Sequence, residues 1–336
     1  MTNGLVRVGM REVAAHAGVS TQTVSRVLND HPHIRPETRA RVLAAAAALG
    51  YRMNNAARAL GTASTRTIGV VASDAALFGP TVGIAALETA ARAAGRWITT
   101  AYADGSDVAS VTDAVEHLLT QGVDGIAVVA PHTASLDVLE RAELGVPVAT
   151  LHGGAGAARQ AEGAALAIDH LVNLGHRRIA VFAGPAAWSE AIFRERGASE
   201  ALARHGLVAV ARWEGDWSAA TAAAVAGEVA KSVASEDGPT AIAVANDQMA
   251  LGLIAGLREH GVEVPRDVSI TGFDDNPDAG FYLPALTTVR LDLAGEARRC
   301  IDELLRGGGM PVASADAVVS PNPPRLIARA SSAPVG

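Results

Sequence analysis

Short apolar runs recur along most of this chain, and alanine-rich stretches of helical length separate most of them. The runs are IGVVAS at 68, WITTAYA at 97, GIAVVAP at 125, VPVATL at 146, RIAVFAG at 178, TAIAVA at 240 and VSITGF at 268. Continuous apolar strands that alternate with helices are typical of parallel sheets covered on both faces. Their number predicts an α/β body with two lobes, each a doubly wound parallel sheet, and a ligand cleft at the carboxyl ends of the strands.

The first 50 residues follow a different pattern, which predicts short helices only. Apolar residues at helical spacing favour helices over 11–17, 21–29 and 36–49. Gly18 ends the first helix, and Ser20 is a suitable N-cap for the second. Val24, Val27 and Leu28 fall on one face of that second helix. Two short helices joined by a tight glycine turn predict a helix-turn-helix head.

The net charge also differs between the helical head and the α/β body. The chain of 336 residues has a formal net charge of −7, but residues 1–60 hold eight arginines against three acidic residues, a net +5, which leaves −12 for the rest. A basic head on an acidic body indicates a head that meets phosphate and a body that does not.

Several classes of protein are disfavoured. No apolar run approaches the roughly 18 residues needed to cross a bilayer, and the N-terminus lacks the pattern of a signal peptide. Cys300 is the only cysteine, so no intrachain disulfide or cysteine-based zinc site is expected. We expect a cytoplasmic, nucleoid-associated protein without a membrane partner, metal, cofactor or catalytic group.

The second helix of the head carries the candidate residues for reading DNA. Gln22 can pair bidentately with adenine and Arg26 with guanine, whereas Thr23 and Ser25 are better suited to phosphate. The predicted contacts from this stretch are Ser20, Thr21, Gln22, Thr23, Ser25, Arg26 and Asn29. The alternative is a plain solvated helix.

The stretch YRMNNAARAL (51–60) is too short to be a stable helix alone and would fold on a partner. Arg58 could supply a cation to phosphate or to the minor groove, and Leu60 could insert as an apolar wedge between base steps. The alternative is an ordinary linker helix. Residues 61–67 (GTASTRT) have the composition of a linker.

Polar and aromatic residues at predicted strand ends of the body are typical of a sugar site, which needs hydrogen-bonding side chains and an aromatic ring. They occur in ALFGP (76–80), TLHGG (150–154), FRERG (193–197), GDW (215–217), ANDQMA (245–250) and GFDD (272–275). Asn246 and Asp274 could instead cap helices or form turns, and Trp217 could simply be core. GGAGAA (153–158) is interpreted as a hinge or loop.

These motifs resemble the lactose-repressor (LacI/GalR) family over nearly the whole chain. The similarity is carried by MREVAAHAGVSTQTVSRVLN, IRPETRARVLAAAAALGYRMNNAARAL and RTIGVV in the first part, and by EGDWSA, PTAIAVANDQMALG and GFDDNPDAGFYLPALTTVR in the body. The resemblance implies that Asn54, Arg58 and Leu60 belong to a DNA-bound hinge helix over 54–61. It implies the effector site Leu77, Pro80, His152, Arg194, Trp217, Asn246 and Asp274. In that site Arg194, Asn246 and Asp274 hydrogen-bond a sugar, Trp217 stacks on it, and Leu77 and Pro80 form an apolar wall.

The chain departs from the family pattern at several of these positions. Thr21 stands in place of an aromatic residue and Met53 in place of proline. Gly105 replaces arginine, and His152 replaces aspartate. Leu291 and Leu293 replace glutamine and phenylalanine. The bound sugar or its pose should therefore differ, with a galactoside as the first candidate.

The resemblance also implies the domain layout. The helix-turn-helix domain with its hinge helix is expected over 1–61, the amino-terminal lobe over 66–161 and 292–320, and the carboxy-terminal lobe over 162–291 and 321–332. We expect a homodimer, because the chain ends at ARASSAPVG without a further leucine-heptad helix.

The expected function is repression of transcription at double-stranded operator DNA, relieved when a small sugar closes the cleft. A regulator tightened by its ligand, a sugar receptor without a DNA-binding role, and a sugar-processing enzyme are the alternatives.

Overall fold

The computed structural model describes residues 8–29, 31, 33–52, 64–74, 76–153, 155–310 and 320–335. The chain divides into two compact units, residues 1–65 and residues 66–336. The hinge candidates Asn54, Arg58 and Leu60 lie outside the described residues.

In the part of the first unit that the structure describes, three helices surround a small apolar core. They are α1 (Met10–Ala17), α2 (Thr21–Leu28) and α3 (Pro36–Ala48). Gly18 adopts a left-handed φ of 63° after α1, which glycine tolerates without the steric penalty of a side chain. The core comprises Val13, Ala14, Ala17, Val24, Val27, Val42, Ala45 and Ala46. Residues 29 and 49, predicted as the last helical residues, are instead the caps that follow α2 and α3.

The body contains two four-stranded parallel sheets. The first has the order β2-β1-β3-β4, from strands β1 (Thr67–Ala72), β2 (Trp97–Tyr102), β3 (Gly125–Val129) and β4 (Val148–Thr150). The helices that alternate with these strands along the chain are α4 (Phe78–Ala93), α5 (Val108–Thr120) and α6 (Thr133–Arg141). In its register Val70 lies between Thr100 and Ala127.

The second sheet has the order β6-β5-β7-β8, from strands β5 (Ile179–Ala183), β6 (Arg212–Glu214), β7 (Ala241–Val244) and β8 (Ser269–Thr271). Its helices are α7 (Ala155–Asn173), α8 (Ser189–Arg204), α9 (Ala219–Ala224), α10 (Ala226–Val233) and α11 (Asp247–Glu259). A short 3-10 helix (Ala279–Phe281) follows. We call the parts built on the two sheets the first and second lobes.

The end of the chain returns to both lobes. Strands β9 (Thr288–Arg290) and β10 (Arg325–Ile327) pair antiparallel and pack on α7 of the second lobe. Between them α12 (Leu293–Gly307) packs on α4, β3 and β4 of the first lobe. No helix of the described ranges is long and apolar enough to span a membrane.

Three details of the predicted layout need correction. The sequence pattern did not predict the strands β6, β9 and β10, each of three residues. The glycine-rich stretch 153–158, interpreted as a hinge or loop, is helical from Ala155 onward. Finally, the predicted lobe boundary between residues 161 and 162 falls inside α7.

Close packing places that part of α7 in the second lobe. A Cβ atom added to Gly197 of α8 would lie 2.1 Å from the carbonyl oxygen of Ala161, so the two helices meet almost backbone to backbone. Ala161 therefore packs with the second lobe, although the sequence analysis assigned it to the first.

A short backbone seam joins the lobes where Pro131–Thr133 run beside Ala187–Ser189. Thr133 donates its backbone N–H to the Ala187 carbonyl at 3.0 Å, and Ser189 donates to the Pro131 carbonyl at 3.2 Å. The ring of Trp188 lies 5.2 Å from that of His132 across the seam. The largest apolar core cluster contains residues of both lobes, which fits this direct connection.

Candidate functional site

The main cleft of the body lies between the lobes, at the carboxyl ends of the strands. It encloses about 680 Å³ of space between atoms, part of it open to solvent. The residues that line it are Leu77, Phe78, Gly79, Pro80, Val82, Val129, Ala130, His152, Trp188, Glu190, Arg194, Trp217, Asn246, Gln248, Asp274, Leu291 and Leu293. Ala130, His152, Trp217, Asn246 and Asp274 lie within three residues of the end of a parallel strand, as expected for open parallel sheets.

All seven effector residues that the sequence analysis named line this one cleft. Leu77, Pro80 and His152 come from the first lobe, and Arg194, Trp217, Asn246 and Asp274 from the second. The folding of six separate segments toward one cavity agrees with the predicted ligand site. The contact of each side chain with a ligand stays a prediction.

Arg194 is held in a fixed position by its own lobe. Its Nε donates to Gln160 at 2.7 Å, one terminal nitrogen to the Ala245 carbonyl at 2.5 Å, and the other to the Asp274 carboxylate at 3.0 Å. The guanidinium also lies 3.9 Å from the centre of the Phe273 ring. Burial raises the pKa of Asp274, and the charge of Arg194 opposes that rise. The pair presents a rigid, charge-balanced edge to the cleft.

Asn246 does have the capping role that was its alternative. Its side-chain oxygen accepts from the Met249 backbone N–H at 2.8 Å at the start of α11, and its amide nitrogen donates to the Trp217 carbonyl at 3.0 Å. Trp217 is likewise part of the core, with 5% of its surface exposed. Both side chains line the cleft as well, so each has a structural role and is also placed where it could contact a ligand.

Three polar atoms that line the cleft are buried without a partner among the described residues. They are Nδ1 of His152, Oε2 of Glu190 and Nε1 of Trp217. Buried polar groups are almost always hydrogen-bonded, and leaving one unpaired costs about 1–3 kcal/mol. Together they offer an acceptor, a donor and an imidazole to a ligand with several hydrogen-bonding groups.

Burial shifts two of these groups strongly. It lowers the pKa of His152 to about 3, with the charges of Arg194 and Arg299 acting in the same direction, so this imidazole is neutral. It raises the pKa of Glu190 to about 7, because burial outweighs a backbone hydrogen bond and the charge of Arg194.

The neighbouring aspartates Asp247 and Asp275 have structural partners. Asp247 is fully buried and accepts hydrogen bonds from Thr288 at 2.5 Å and from the Asn276 backbone at 2.7 Å. Burial and the nearby charge of Asp274 raise the pKa of Asp247 to about 8. Asp275 pairs with Arg290 and with Arg329. No group of three potential metal ligands occurs among the residues that the structure describes.

The sequence analysis missed Trp188 and Glu190 of the cleft altogether, and it included Phe78 and Gln248 only as members of the segments ALFGP and ANDQMA. Trp188 and Glu190 stand in WSEAIFR, between the end of β5 and Arg194, so their position after a buried strand was the available signal. The leucines at 291 and 293 also line the cleft, which makes their departure from the family pattern relevant to the ligand.

The glycine at 105 has a local explanation. A Cβ atom at this position would lie 2.5 Å from the ring of His132 and 2.6 Å from Oγ of Ser73. The imidazole of His132 therefore fills the space that a longer side chain at residue 105 would need.

In the first unit, α2 exposes part of the predicted DNA-reading set. Thr21, Gln22 and Arg26 are exposed, whereas Ser25 is half-buried and accepts from Asn29 at 3.4 Å. Ser20 caps the helix, and its Oγ accepts from the Thr23 backbone N–H at 3.1 Å.

Half-buried Thr23 also shares a hydrogen bond of 2.9 Å with the Ser20 hydroxyl. Ser20, Thr23 and Asn29 therefore have local structural partners, and the contact of the exposed residues Thr21, Gln22 and Arg26 with base edges stays a prediction.

A helix-turn-helix unit joined to a two-lobed body with a ligand cleft defines the class of bacterial transcription regulators that carry a sensor domain. The family model of bacterial regulatory proteins of the lacI family matches residues 9–54, and that of the periplasmic binding protein-like domain matches residues 168–332. The lactose operon repressor of Escherichia coli K12 is 35% identical over 308 residues, which cover 89% of this chain and 84% of that protein. This chain therefore belongs to the lacI family.

Other relatives agree. The transcriptional regulator GalS of Salmonella typhimurium is 32% identical, over 89% of this chain and 90% of its own length. A crystal structure of the lac repressor dimer bound to operator and the anti-inducer ONPF matches with a TM-score of 0.78 and 32% identity, over 97% of this chain and 99% of that one. The regulator CelR in complex with cellobiose matches with a TM-score of 0.68 and 26% identity, over 97% and 100%.

Proposed function

We propose that this protein represses transcription as a homodimer bound to a two-fold symmetric operator, and that a small sugar in the body cleft releases it. The residues before 62 form the DNA-binding domain in this proposal, and the two lobes form the sensor. The protein acts on chromosomal DNA in the cytoplasm, without catalytic turnover.

The cleft carries the proposal. Its seven predicted residues converge from both lobes, and its three unpartnered polar atoms suit a ligand with many hydroxyl groups. Among related structures of the same fold, one is bound to the anti-inducer ONPF and another to the sugar cellobiose. A galactoside is the first candidate among neutral sugars.

The DNA-binding role rests on α2 and its charge. Gln22 and Arg26 are exposed near the start and end of a helix whose other face is anchored by Val24 and Val27, and the surrounding 60 residues are basic. A sugar receptor without a DNA-binding role would leave this unit unexplained.

Exposed apolar side chains on the body support a homodimer. Phe281 and Leu283 are 85% and 80% exposed, and Tyr102 and Trp97 are 64% and 57% exposed. Contiguous exposed apolar surface commonly marks an interface between proteins, so these side chains are candidates for the dimer contact. The lac repressor structure with operator is itself a dimer, and a two-fold dimer requires two half-sites in the DNA.

The test begins with full-length protein and a random-sequence duplex pool, from which bound duplexes are enriched. Fluorescence anisotropy then measures the affinity for an enriched duplex with and without each member of a panel of mono- and disaccharides. We expect at least one sugar to weaken the duplex affinity about 5- to 150-fold, which corresponds to a coupling of about 1–3 kcal/mol.

The variant Asp274→Ala tests whether the response to the sugar depends on the cleft. It should bind the enriched duplex normally and lose the response to the sugar. A sugar that tightens duplex binding would instead identify a ligand-activated regulator. The proposal fails if no duplex is enriched over competitor, or if the bound sugar leaves duplex affinity unchanged.

A further inference from the structure

Glu190 is a buried carboxyl group with no ion-pair partner among the described residues, and the charge of Arg194 offsets its burial only in part. It is the second residue of α8, lines the cleft, and exposes 6% of its surface. Its Oε2 has no hydrogen-bond partner among the described residues. A carboxylate in such a position is costly unless something pairs with it.

The other ionisable groups of the cleft do not supply that partner. Among its lining residues they are His152, Arg194 and Asp274. Arg194 is committed to Asp274, Gln160 and the Ala245 carbonyl, and His152 is neutral because burial lowers its pKa to about 3. With Arg194 and Asp274 balanced, an ionised Glu190 gives the cleft one net negative charge.

The aromatic side chains of the cleft already lie beside one cation, because the Arg194 guanidinium is 5.5 Å from the centre of the Trp217 ring. Trp188 and Trp217 both line the cleft, with ring centres 5.6 Å apart in an edge-to-face arrangement. The faces of tryptophan rings attract cations more strongly than those of other aromatic residues.

We propose that the effector is an amino sugar, whose ammonium group pairs with Glu190 while its hydroxyl groups bind the Arg194–Asp274 edge and Asn246. This inference rests on the proposed function and names the ligand class of the same cleft. Sugar acids and sugar phosphates fit this site less well, because their negative charge would face the Glu190 carboxylate. A neutral sugar would fit the shape of the cleft and leave its charge uncompensated.

The protonation of Glu190 is consistent with such a ligand. Burial raises the pKa of Glu190 to about 7 in the ligand-free site, with Arg194 lowering it and Asp274 raising it. An ammonium group would lower this pKa again. Binding of the amino sugar should therefore strengthen as the pH rises through 7, until the amine of the ligand loses its own proton.

The test compares hexoses that differ in charge. Full-length protein is titrated calorimetrically with galactose, galactosamine, N-acetylgalactosamine and galacturonic acid, and with the four corresponding glucose derivatives. We expect one of the two amino sugars to bind about tenfold or more tightly than its neutral parent and its N-acetyl derivative, a factor that corresponds to about 1.4 kcal/mol. The uronic acids should not bind.

The variant Glu190→Gln should abolish the preference for the amine, and Glu200→Gln, on the exposed side of the same helix, should retain it. The proposal is overturned if neither amino sugar binds, if a neutral parent binds as tightly as its amino form, if a uronic acid binds, or if the preference survives in Glu190→Gln. The comparison of ligands on the unmodified protein decides the matter even if that variant does not fold.

These outcomes are distinct from failure of the proposed function. A neutral sugar that releases the duplex while amino sugars do not would refute the amino-sugar assignment and leave the sugar-responsive repressor intact. If no sugar of any charge alters duplex binding, the proposed function itself fails.

Discussion

Replacing Glu190 by glutamine should make the ligand-free body more stable at high pH and leave it almost unchanged at low pH. The pKa of Glu190 is about 7 in the folded protein, against an ordinary value of 4.5. The folded state therefore holds this proton more tightly than the unfolded chain. Its stabilising contribution is complete below about pH 4.5 and is lost as the pH rises through about 7.

The size of the effect follows from the shift. Each pKa unit corresponds to about 1.36 kcal/mol, so a displacement of about 2.5 units amounts to about 3 kcal/mol. Glutamine has nearly the same shape and does not titrate. The difference in unfolding free energy between Glu190→Gln and the unmodified protein should thus grow by about 3 kcal/mol between pH 4.5 and pH 8.5.

Urea unfolding followed by tryptophan fluorescence measures this difference. The four tryptophans of the chain all lie after residue 66, so their signal reports on the body alone. Glu200→Gln is the control, because it removes an exposed carboxylate from the same helix and should show no comparable trend. A difference between Glu190→Gln and the unmodified protein that stays constant over this pH range would refute the reasoning.

Three further substitutions probe the two functional surfaces. Arg26→Ala should cost about 1–3 kcal/mol of operator affinity and relax specificity at one base pair of each half-site; equal loss on all duplexes in a competition assay would make it a phosphate contact. Asp274→Ala leaves Arg194 without its charged partner, so induction should vanish in the anisotropy assay while duplex binding persists. Gly184→Ala would place a Cβ 2.2 Å from the Trp217 ring; calorimetry should show at least tenfold weaker effector binding, and unchanged binding would show that the ring can move freely.

The strongest patterns in the sequence predicted most of the architecture correctly. The runs at 68, 125, 178 and 240 form buried strands, because continuous apolar residues suit a sheet covered on both faces. In the head, Gly18 and Ser20 specify the turn between α1 and α2 through local chemistry alone. Such features depend on few residues close together in sequence.

Features that depend on distant partners were not predictable in this way. Strands β9 and β10 have three residues each and exist because they pair with one another across 34 intervening residues. The start of α7 in a glycine-rich stretch packs against α12, where a Cβ added to Gly156 would lie 2.8 Å from the Glu296 carboxylate and 3.2 Å from the Arg299 guanidinium. Such distant contacts override the low helix propensity of glycine.

The residues of the candidate site likewise include some that the sequence predicted and one that it did not. Arg194 and Asp274 were predicted through the family resemblance and prove to be hydrogen-bonded to each other across 80 positions. Glu190 was missed, since an acidic residue in the first turn of a helix is ordinarily a solvated partner of the helix dipole. Its burial in the cleft depends on how the two lobes meet, which the local pattern does not contain.

The seam between Pro131–Thr133 and Ala187–Ser189 constrains how molecules enter and leave the body. Its two backbone hydrogen bonds fasten the lobes in addition to the chain segments that cross between them, so the lobes cannot separate fully while these two bonds are intact. The amide protons of Thr133 and Ser189 then report on complete separation of the lobes. Their exchange with deuterated solvent should be far slower than the association and dissociation of a ligand.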